Sequence, residues 1–383
     1  MDPKLSRRRV NAVRDKFLLV LLLIALVGIA GAATIKIAAV VPYTGGIASF
    51  GQMAWQGIEI AHEMRPSVLG YDIELVLIDN RSDKVEAANA VARAIDYEKV
   101  VGIIGEIASS HSLAGGAIAE KKGIPMISPT STNPLVTQGK KFVNRACFID
   151  PYQGAAMAEF AFKELGVRSV AVFTDIEQDY SVGLSAFFRA SFKKLGGTAF
   201  NEFYRTGDQD FTAQLTDVMS KNPDAIYITG YYPEIALICR QARDLGYTGL
   251  FLTGDGSDAP ELIEIGGEAV EGLYFTTHYH PDGTTTKVGQ EFLKRFREKY
   301  GKEPSAFAAL GFDAYMILVD AIERAGGPDP KKIAEEIRKT KNFEGASGII
   351  TIGPDGNAIK PVVIDTVKGG AFRYVTSIIP ETL

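Results

Sequence analysis

The side chains best placed to do chemistry lie in short polar loops that follow apolar runs. Segment 106–112 follows the apolar run 100–105 and carries Ser109 and Ser110 where a helical pattern begins. Small hydroxyls and free backbone N–H groups at a helix start favour an anion. The same serines could serve only as helix N-caps, and the sequence leaves both interpretations open.

Two further loops carry polar groups in the same position. Thr130 and Thr132 follow the run 125–128, and Asp255 follows the run 250–254. Each has a purely structural alternative, because threonines and an aspartate before Gly256 also suit turns. Taken together, hydroxyls and N–H groups on one side and a carboxylate on the other suit a zwitterion, whose two charges are held at once. Such a site binds its ligand and offers no reaction.

Motifs for catalysis or cofactor binding are missing from the sequence. It contains no G-x-S-x-G elbow, no P-loop, no H-E-x-x-H and no dinucleotide fingerprint after the first strand. His278 and His280 would share a strand face, but no third ligand accompanies them, so we predict no metal site and no cofactor. Acidic residues outnumber basic ones, 46 to 41, which argues against a nucleic-acid partner.

Strand and helix patterns alternate along the chain from Thr34 onward, which predicts a doubly wound α/β architecture. Most predicted strands are continuously apolar, as expected for strands buried on both faces of a parallel sheet. Residues 166, 196 and 246 are glycines placed to end three of the helices. The predicted strands are 35–41, 73–79, 100–105, 125–128, 169–173, 199–204, 225–229, 250–254 and 273–277.

These strands are too many for one sheet, so we expect two Rossmann-like lobes. Connections near 150–152, 277–281 and 347–348 would carry the chain between them three times. Lobe 1 would then contain residues 34–151 and 279–348, and lobe 2 residues 152–278 and 349–383. In open α/β sheets the ligand lies beyond the C-terminal strand ends, which places a site in the cleft between the lobes.

The N-terminal segment 1–33 combines a basic start, the apolar run 17–27 and a small-residue end. This pattern predicts a secretory signal peptide, with an uncleaved membrane anchor as the alternative. Both place the rest of the chain outside the cytoplasm. Cys147 and Cys239 could pair in an oxidising compartment, but we predict two separate buried thiols.

The order and spacing of several short motifs over about 350 residues give the chain a resemblance to a known family. It resembles the leucine/isoleucine/valine-binding proteins, the periplasmic type I solute receptors of branched-chain amino acid ABC transporters. The motifs are the first strand with Gly45 and Phe50-Gly51, Ile103-Ile104-Gly105 with Ser109-Ser110, 125–129 with Thr132, Tyr180 with Gly183, Asp210-Phe211, Gly230-Tyr231 with Pro233-Glu234, 240–243, and Phe312-Asp313-Ala314-Tyr315.

The resemblance implies a role for each matching site residue. Ser109 and Thr132 match the hydroxyl residues that hold the ligand carboxylate. The Thr130 carbonyl and the Asp255 carboxylate match the groups that hold its ammonium. The remaining matches are Tyr180 and Tyr231, which close over the ligand from lobe 2, and Phe50, Ile107, Ala108 and Phe307, which lie near its side chain.

The resemblance also implies a function. The expected protein is an extracytoplasmic, monomeric receptor that binds a branched-chain or other neutral amino acid by hinge closure and delivers it to ABC permease subunits. The alternative is a sensor that presents a solute to a signalling partner. Three departures could favour a more polar amino acid: Asp255 where glutamate is usual, the Thr130 hydroxyl, and the Glu106 carboxylate beside the pocket, which could instead point away from it.

Overall fold

A first sheet is built around strand β1, whose residues 37–41 are all buried or nearly so. In the computed structural model, which describes residues 33–378, β1 pairs in parallel with β3 and β4. The sheet order is β2 (Ser67–Val68), β3 (Tyr71–Asp79), β1 (Thr34–Val41), β4 (Gly102–Ile104), β5 (Met126–Ser128) and β6 (Val143–Arg145). The parallel strands of this sheet therefore end at one common edge.

The second sheet repeats this design with two antiparallel strands added at one side. Its order is β16 (Phe372–Ile378), β15 (Val362–Val367), β11 (Tyr274–Thr277), β10 (Leu250–Thr253), β9 (Ala225–Thr229), β7 (Ser169–Asp175) and β8 (Thr198–Tyr204). A small third sheet contains β12 (Phe343–Gly345), β13 (Gly348–Ile352) and β14 (Ala358–Ile359).

Helices cover the faces of the two large sheets. They are α1 (Ala48–Met64), α2 (Lys84–Asp96), α3 (Ser109–Lys122), α4 (Asp150–Glu159), α5 (Asp179–Lys194), α6 (Thr212–Lys221), α7 (Tyr232–Asp244), α8 (Pro260–Gly266), α9 (Lys287–Tyr300), α10 (Ala306–Ala325) and α11 (Pro330–Ile337). The two-lobed α/β fold predicted from the sequence is confirmed.

Each of the nine predicted strands is present within two residues of its predicted bounds. The glycines at 166, 196 and 246 have positive φ values, as their positions after helices require. Helix α4 begins at Asp150, and Pro151 suits its first turn and does not interrupt it. Short strands such as β2 and β6 were not predicted, since two or three residues show no periodicity.

The chain passes between the two large sheets three times within the described residues. It leaves the first sheet after β6, returns after β11, and joins the second sheet again at β15. The third passage differs from the expected one at 347–348. Ile350, Ile352 and Ala358 pack in the apolar core of the first sheet, so the small third sheet stays with lobe 1 and the passage lies just before Val362.

Both cysteines are buried and free, which confirms the prediction of separate thiols. Between residues 33 and 378, no helix combines the length and apolarity needed to cross a membrane. The predicted signal peptide or anchor lies outside the described residues.

Helices α1 and α10 approach each other closely through glycines. A Cβ on Gly57 would lie 1.8 Å from the Ala308 carbonyl oxygen, and one on Gly311 would lie 2.3 Å from the Ala54 oxygen. Because no side chain separates them at these points, the two helices pack closely together. Phe50 lies in the first turn of α1, and Phe307 lies in the first turn of α10.

We expect Gly57→Ala to destabilise the protein, because the added methyl overlaps the Ala308 carbonyl. Overpacking of this kind costs about 1–3 kcal/mol or more in free energy of unfolding. Gly116→Ala in α3 is the matched control, since its Cβ would meet the nearest atom at 3.4 Å. Thermal unfolding should show a lower Tm for Gly57→Ala only; an unchanged Tm would contradict the close approach.

Candidate functional site

All ten site residues predicted from the family resemblance line one cavity between the lobes, together with Gly256. The cavity is narrow, with about 10 Å³ of free volume, which is room for about one water molecule. Its lining residues are Phe50, Ile107, Ala108, Ser109, Thr130, Thr132, Tyr180, Tyr231, Asp255, Gly256 and Phe307. The structure thus brings the loops at the ends of both large sheets to a single small space.

The first lobe presents hydroxyls and a helix N-terminus to this cavity. Helix α3 has Ala108 as its N-cap and Ser109 as its first residue, with no side-chain cap. The alternative in which Ser109 or Ser110 serves as the N-cap is therefore wrong. The first-turn N–H groups of a helix lack intrahelical partners and attract negative charge. The buried Thr132 hydroxyl lies close to the buried Asp150 carboxyl, and Ser109 and Thr132 place hydroxyl groups at this end of the cavity.

Ser110 joins the lobes at the edge of the cavity. Its Oγ accepts a hydrogen bond from the Asp179 backbone N–H at 3.0 Å, and the Asn133 amide donates to the Asp179 carbonyl at 2.7 Å. On the other side, Ser49 Oγ donates to Glu261 at 2.6 Å. Ser49 lies in the first turn of α1, whose N-cap is Ile47. These contacts hold the two lobes in a closed arrangement around the cavity.

The second lobe presents one carboxylate, that of Asp255. It is buried and begins a short 3₁₀ turn directly after β10. Oδ1 accepts hydrogen bonds from Gln153 Nε2 and from the Tyr180 hydroxyl, both at 2.7 Å. Oδ2 lies 3.1 Å from His278 Nε2. A carboxylate has about four acceptor positions, so three donors hold Asp255 and leave capacity for a cation in the cavity.

Two stacked tyrosines form the wall beside Asp255. The rings of Tyr180 and Tyr231 are 5.4 Å apart and inclined by 10°. Burial first, and then the nearby Asp255 charge, raise the pKa of the Tyr180 hydroxyl well above its usual value, so it stays a hydrogen-bond donor. The Tyr231 hydroxyl is buried without a partner in the described chain, although it lines the same cavity.

The remaining wall is apolar and aromatic. Phe50 and Phe307 stack at 4.1 Å with an angle of 2°, and Tyr231 meets Phe50 edge-on at 5.9 Å. Ile107 and Ala108 complete this side. Stacked rings held by the close approach of α1 and α10 give the cavity a rigid apolar end, which suits an uncharged side chain.

Two of the three departures from the family pattern add no free polar group to the cavity. The Thr130 hydroxyl donates to the Ile107 carbonyl at 2.9 Å, so it is already used. Glu106 does not line the cavity; its Oε2 accepts from the Asn80 amide at 2.5 Å, and complete burial raises its pKa well above the usual value. Of the two alternatives for Glu106, the one in which its side chain points away from the pocket is therefore correct.

Gln153 and His278 were not predicted as site residues. The sequence contains no motif that marks Gln153, and His278 drew attention only as a possible metal ligand. His280 Nδ1 instead accepts from the Asp282 N–H at 3.1 Å. In the part of the chain that the structure describes, no group of three or more His, Cys, Asp or Glu residues is arranged to hold a metal ion.

The model of one protein family, described as periplasmic binding protein, matches residues 34–371. The chain belongs to this periplasmic binding protein family. Among solved structures, a leucine binding protein LivK from Thermotoga maritima is 65% identical, with a TM-score of 0.90 over 91% of this chain and 99% of that one.

Two more relatives place this periplasmic binding protein with the Leu/Ile/Val-binding type. LivJ, the substrate binding protein of a branched-chain amino acid transporter from Streptococcus pneumoniae solved with isoleucine, is 31% identical with a TM-score of 0.83, covering 89% of this chain and 99% of that one. A Leucine-, isoleucine-, valine-, threonine-, and alanine-binding protein of Pseudomonas aeruginosa is 29% identical over 85% of this chain and 87% of its own. The family resemblance is confirmed, and the named relatives are binding proteins.

The two stacked tyrosines provide a matched pair of substitutions. Tyr180→Phe removes a donor from the buried Asp255 carboxylate, and a hydrogen bond to a charged group contributes about 1.5–3 kcal/mol to stability. Tyr231→Phe removes a hydroxyl that has no partner among the described residues, so we expect little change. Urea unfolding of the unliganded protein would measure both; equal losses would contradict the assignment of the Tyr180 hydrogen bond.

Proposed function

We propose that this periplasmic binding protein is the extracytoplasmic receptor of an ABC importer and binds a free neutral amino acid, with branched-chain side chains preferred. The observation that carries the proposal is the charge pattern of the interlobe cavity. Of its lining residues, Asp255 is the one that bears a formal charge. The ligand therefore needs one cation opposite Asp255 and an anion that the donors at the start of α3 can hold.

The ends of the cavity set the ligand's orientation. Its carboxylate would lie against the α3 N-terminus, Ser109 and Thr132, and its ammonium between Asp255 and the Thr130 carbonyl. The side chain would then point to the apolar end at Phe50 and Phe307. A charged ligand side chain would be buried there without a partner, which is costly. This argument excludes lysine, arginine, aspartate and glutamate more strongly than it separates one neutral amino acid from another.

The names of the relatives agree with this chemistry. The Thermotoga maritima structure is named a leucine binding protein, and the Streptococcus pneumoniae structure contains isoleucine. The Pseudomonas aeruginosa relative also has threonine and alanine in its name, and these side chains are neutral too.

Capture would proceed by hinge closure. The lobes are joined by three chain passages and meet at Ser110–Asp179 and Ser49–Glu261, contacts that an opened cleft would break. Closure excludes water, so the ligand's ion pair and hydrogen bonds act in a medium of lower dielectric constant. The closed monomer would then dock on membrane permease subunits and release the amino acid to them.

Asp255→Asn should nearly abolish binding of L-leucine, because it removes the charge opposite the ligand ammonium while keeping the side-chain shape. Breaking a buried charge pair costs about 2–5 kcal/mol, so Kd should rise at least about 30-fold in isothermal titration calorimetry. Asp282→Asn, an exposed carboxylate outside the cavity, is the control and should bind normally. Unchanged affinity in Asp255→Asn would refute the ammonium contact.

A thermal-shift screen against the twenty amino acids, sugars and amides tests the ligand class. A ligand that binds only the native state raises Tm by mass action, by an amount that grows with [L]/Kd. We expect the largest shifts with leucine, isoleucine and valine, and none with lysine or glutamate. A response confined to sugars or to charged amino acids would overturn the proposed class.

A further inference from the structure

Asp255 is held from two directions that belong to different parts of the molecule. Oδ1 is bound by Gln153 from α4 and Tyr180 from α5, both helices of the second lobe. Oδ2 is bound by His278, which follows β11 in the segment that returns the chain to the first lobe. Oδ1 is therefore held by helices of the second lobe, and Oδ2 is held by the segment that connects the lobes.

His278 is also packed against another of the connections. Its side chain is fully enclosed, and its ring lies 3.8 Å from the ring of buried Phe148, measured between centroids. Phe148 lies between β6 and α4, where the chain first leaves the first sheet. Hinge motion changes the backbone torsions of such connections, so the ring that holds Asp255 lies between two segments that must move when the cleft opens.

The hydrogen-bond chemistry defines the form of the imidazole. An ionised carboxylate only accepts hydrogen bonds, so His278 Nε2 carries the proton that it shares with Asp255. Nδ1 is buried and has no partner within residues 33–378. Burial, the largest effect, lowers the pKa of His278. The ring is therefore neutral, with a proton on Nε2 and a bare Nδ1.

We propose that His278 is a positioning residue that orients the Asp255 carboxylate toward the ligand ammonium and makes that orientation depend on the hinge. The inference rests on the proposed function, because it assigns the ammonium to Asp255. In the closed protein, His278 fixes Oδ2 while Gln153 and Tyr180 fix Oδ1. Opening displaces the His278 ring, so the carboxylate is fully oriented only when the lobes are closed.

Calorimetric titration of the protein with L-leucine tests the role. His278→Leu removes the donor and should raise Kd at least about tenfold. His278→Gln keeps an N–H donor at a similar reach and should restore Kd to within about threefold of the original protein. His280→Leu, two residues along and without contact to Asp255, is the matched control and should bind normally. A purely structural role would not predict rescue by glutamine, and the Tm of each variant shows whether it is folded.

Long-range ¹H–¹⁵N NMR of the unsubstituted protein tests the same inference without any mutation. The His278 ring should be the neutral tautomer protonated on Nε2. A ring protonated on Nδ1, a His278→Leu Kd within twofold of the original, or failure of the glutamine rescue would each overturn the positioning role. If the original protein binds no neutral amino acid, the proposed function fails instead, and the NMR result still decides how His278 and Asp255 are joined.

Discussion

The structure of the site depends on burying one carboxylate between two lobes. An ionised group taken out of water is costly unless hydrogen bonds and an opposite charge compensate for it. Asp255 receives donors from α4, α5 and the segment after β11, three elements that are separate in the sequence. The fold of the second lobe and the course of the connecting segments must therefore both be in place before the carboxylate is held. The described chain holds it with neutral donors, and none of the described residues that line the cavity is cationic.

Parallel sheets make such a site easy to assemble. In each large sheet, neighbouring parallel strands end at the same edge, so loops distant in the chain become neighbours in space. Ser109 follows β4, Thr130 and Thr132 follow β5, and Asp255 follows β10. The chain passes between the sheets three times, and the two edges face each other across the cavity. The cavity therefore lies between a donor-rich edge and an acceptor-bearing edge.

Sequence patterns predicted the parts of this arrangement that depend on local rules. Apolar runs located the central strands, and polar loops after those runs located Ser109, Thr132 and Asp255, while the family resemblance added the aromatic residues. The third passage was misplaced because the β12–β14 strands are too short for periodicity to show which core they join. Gln153 and His278 were missed for a different reason: their contacts with Asp255 span 102 and 23 residues, and no spacing rule connects such positions. The orientation of Glu106 was left open by the sequence, because a residue next to a pocket in sequence can turn its side chain either way.

The departures from the family pattern change the lining of the cavity less than their residue types suggest. The Thr130 hydroxyl is bound to the Ile107 carbonyl, and the Glu106 carboxyl lies with Asn80 away from the cavity. Asp255 is shorter than the usual glutamate, yet Gln153 reaches it and also donates to the Thr276 hydroxyl at 2.8 Å. That link fixes the shorter carboxylate at the end of the second sheet. The apolar end formed by Phe50 and Phe307 is carried by α1 and α10, whose close approach depends on the contacts at Gly57 and Gly311.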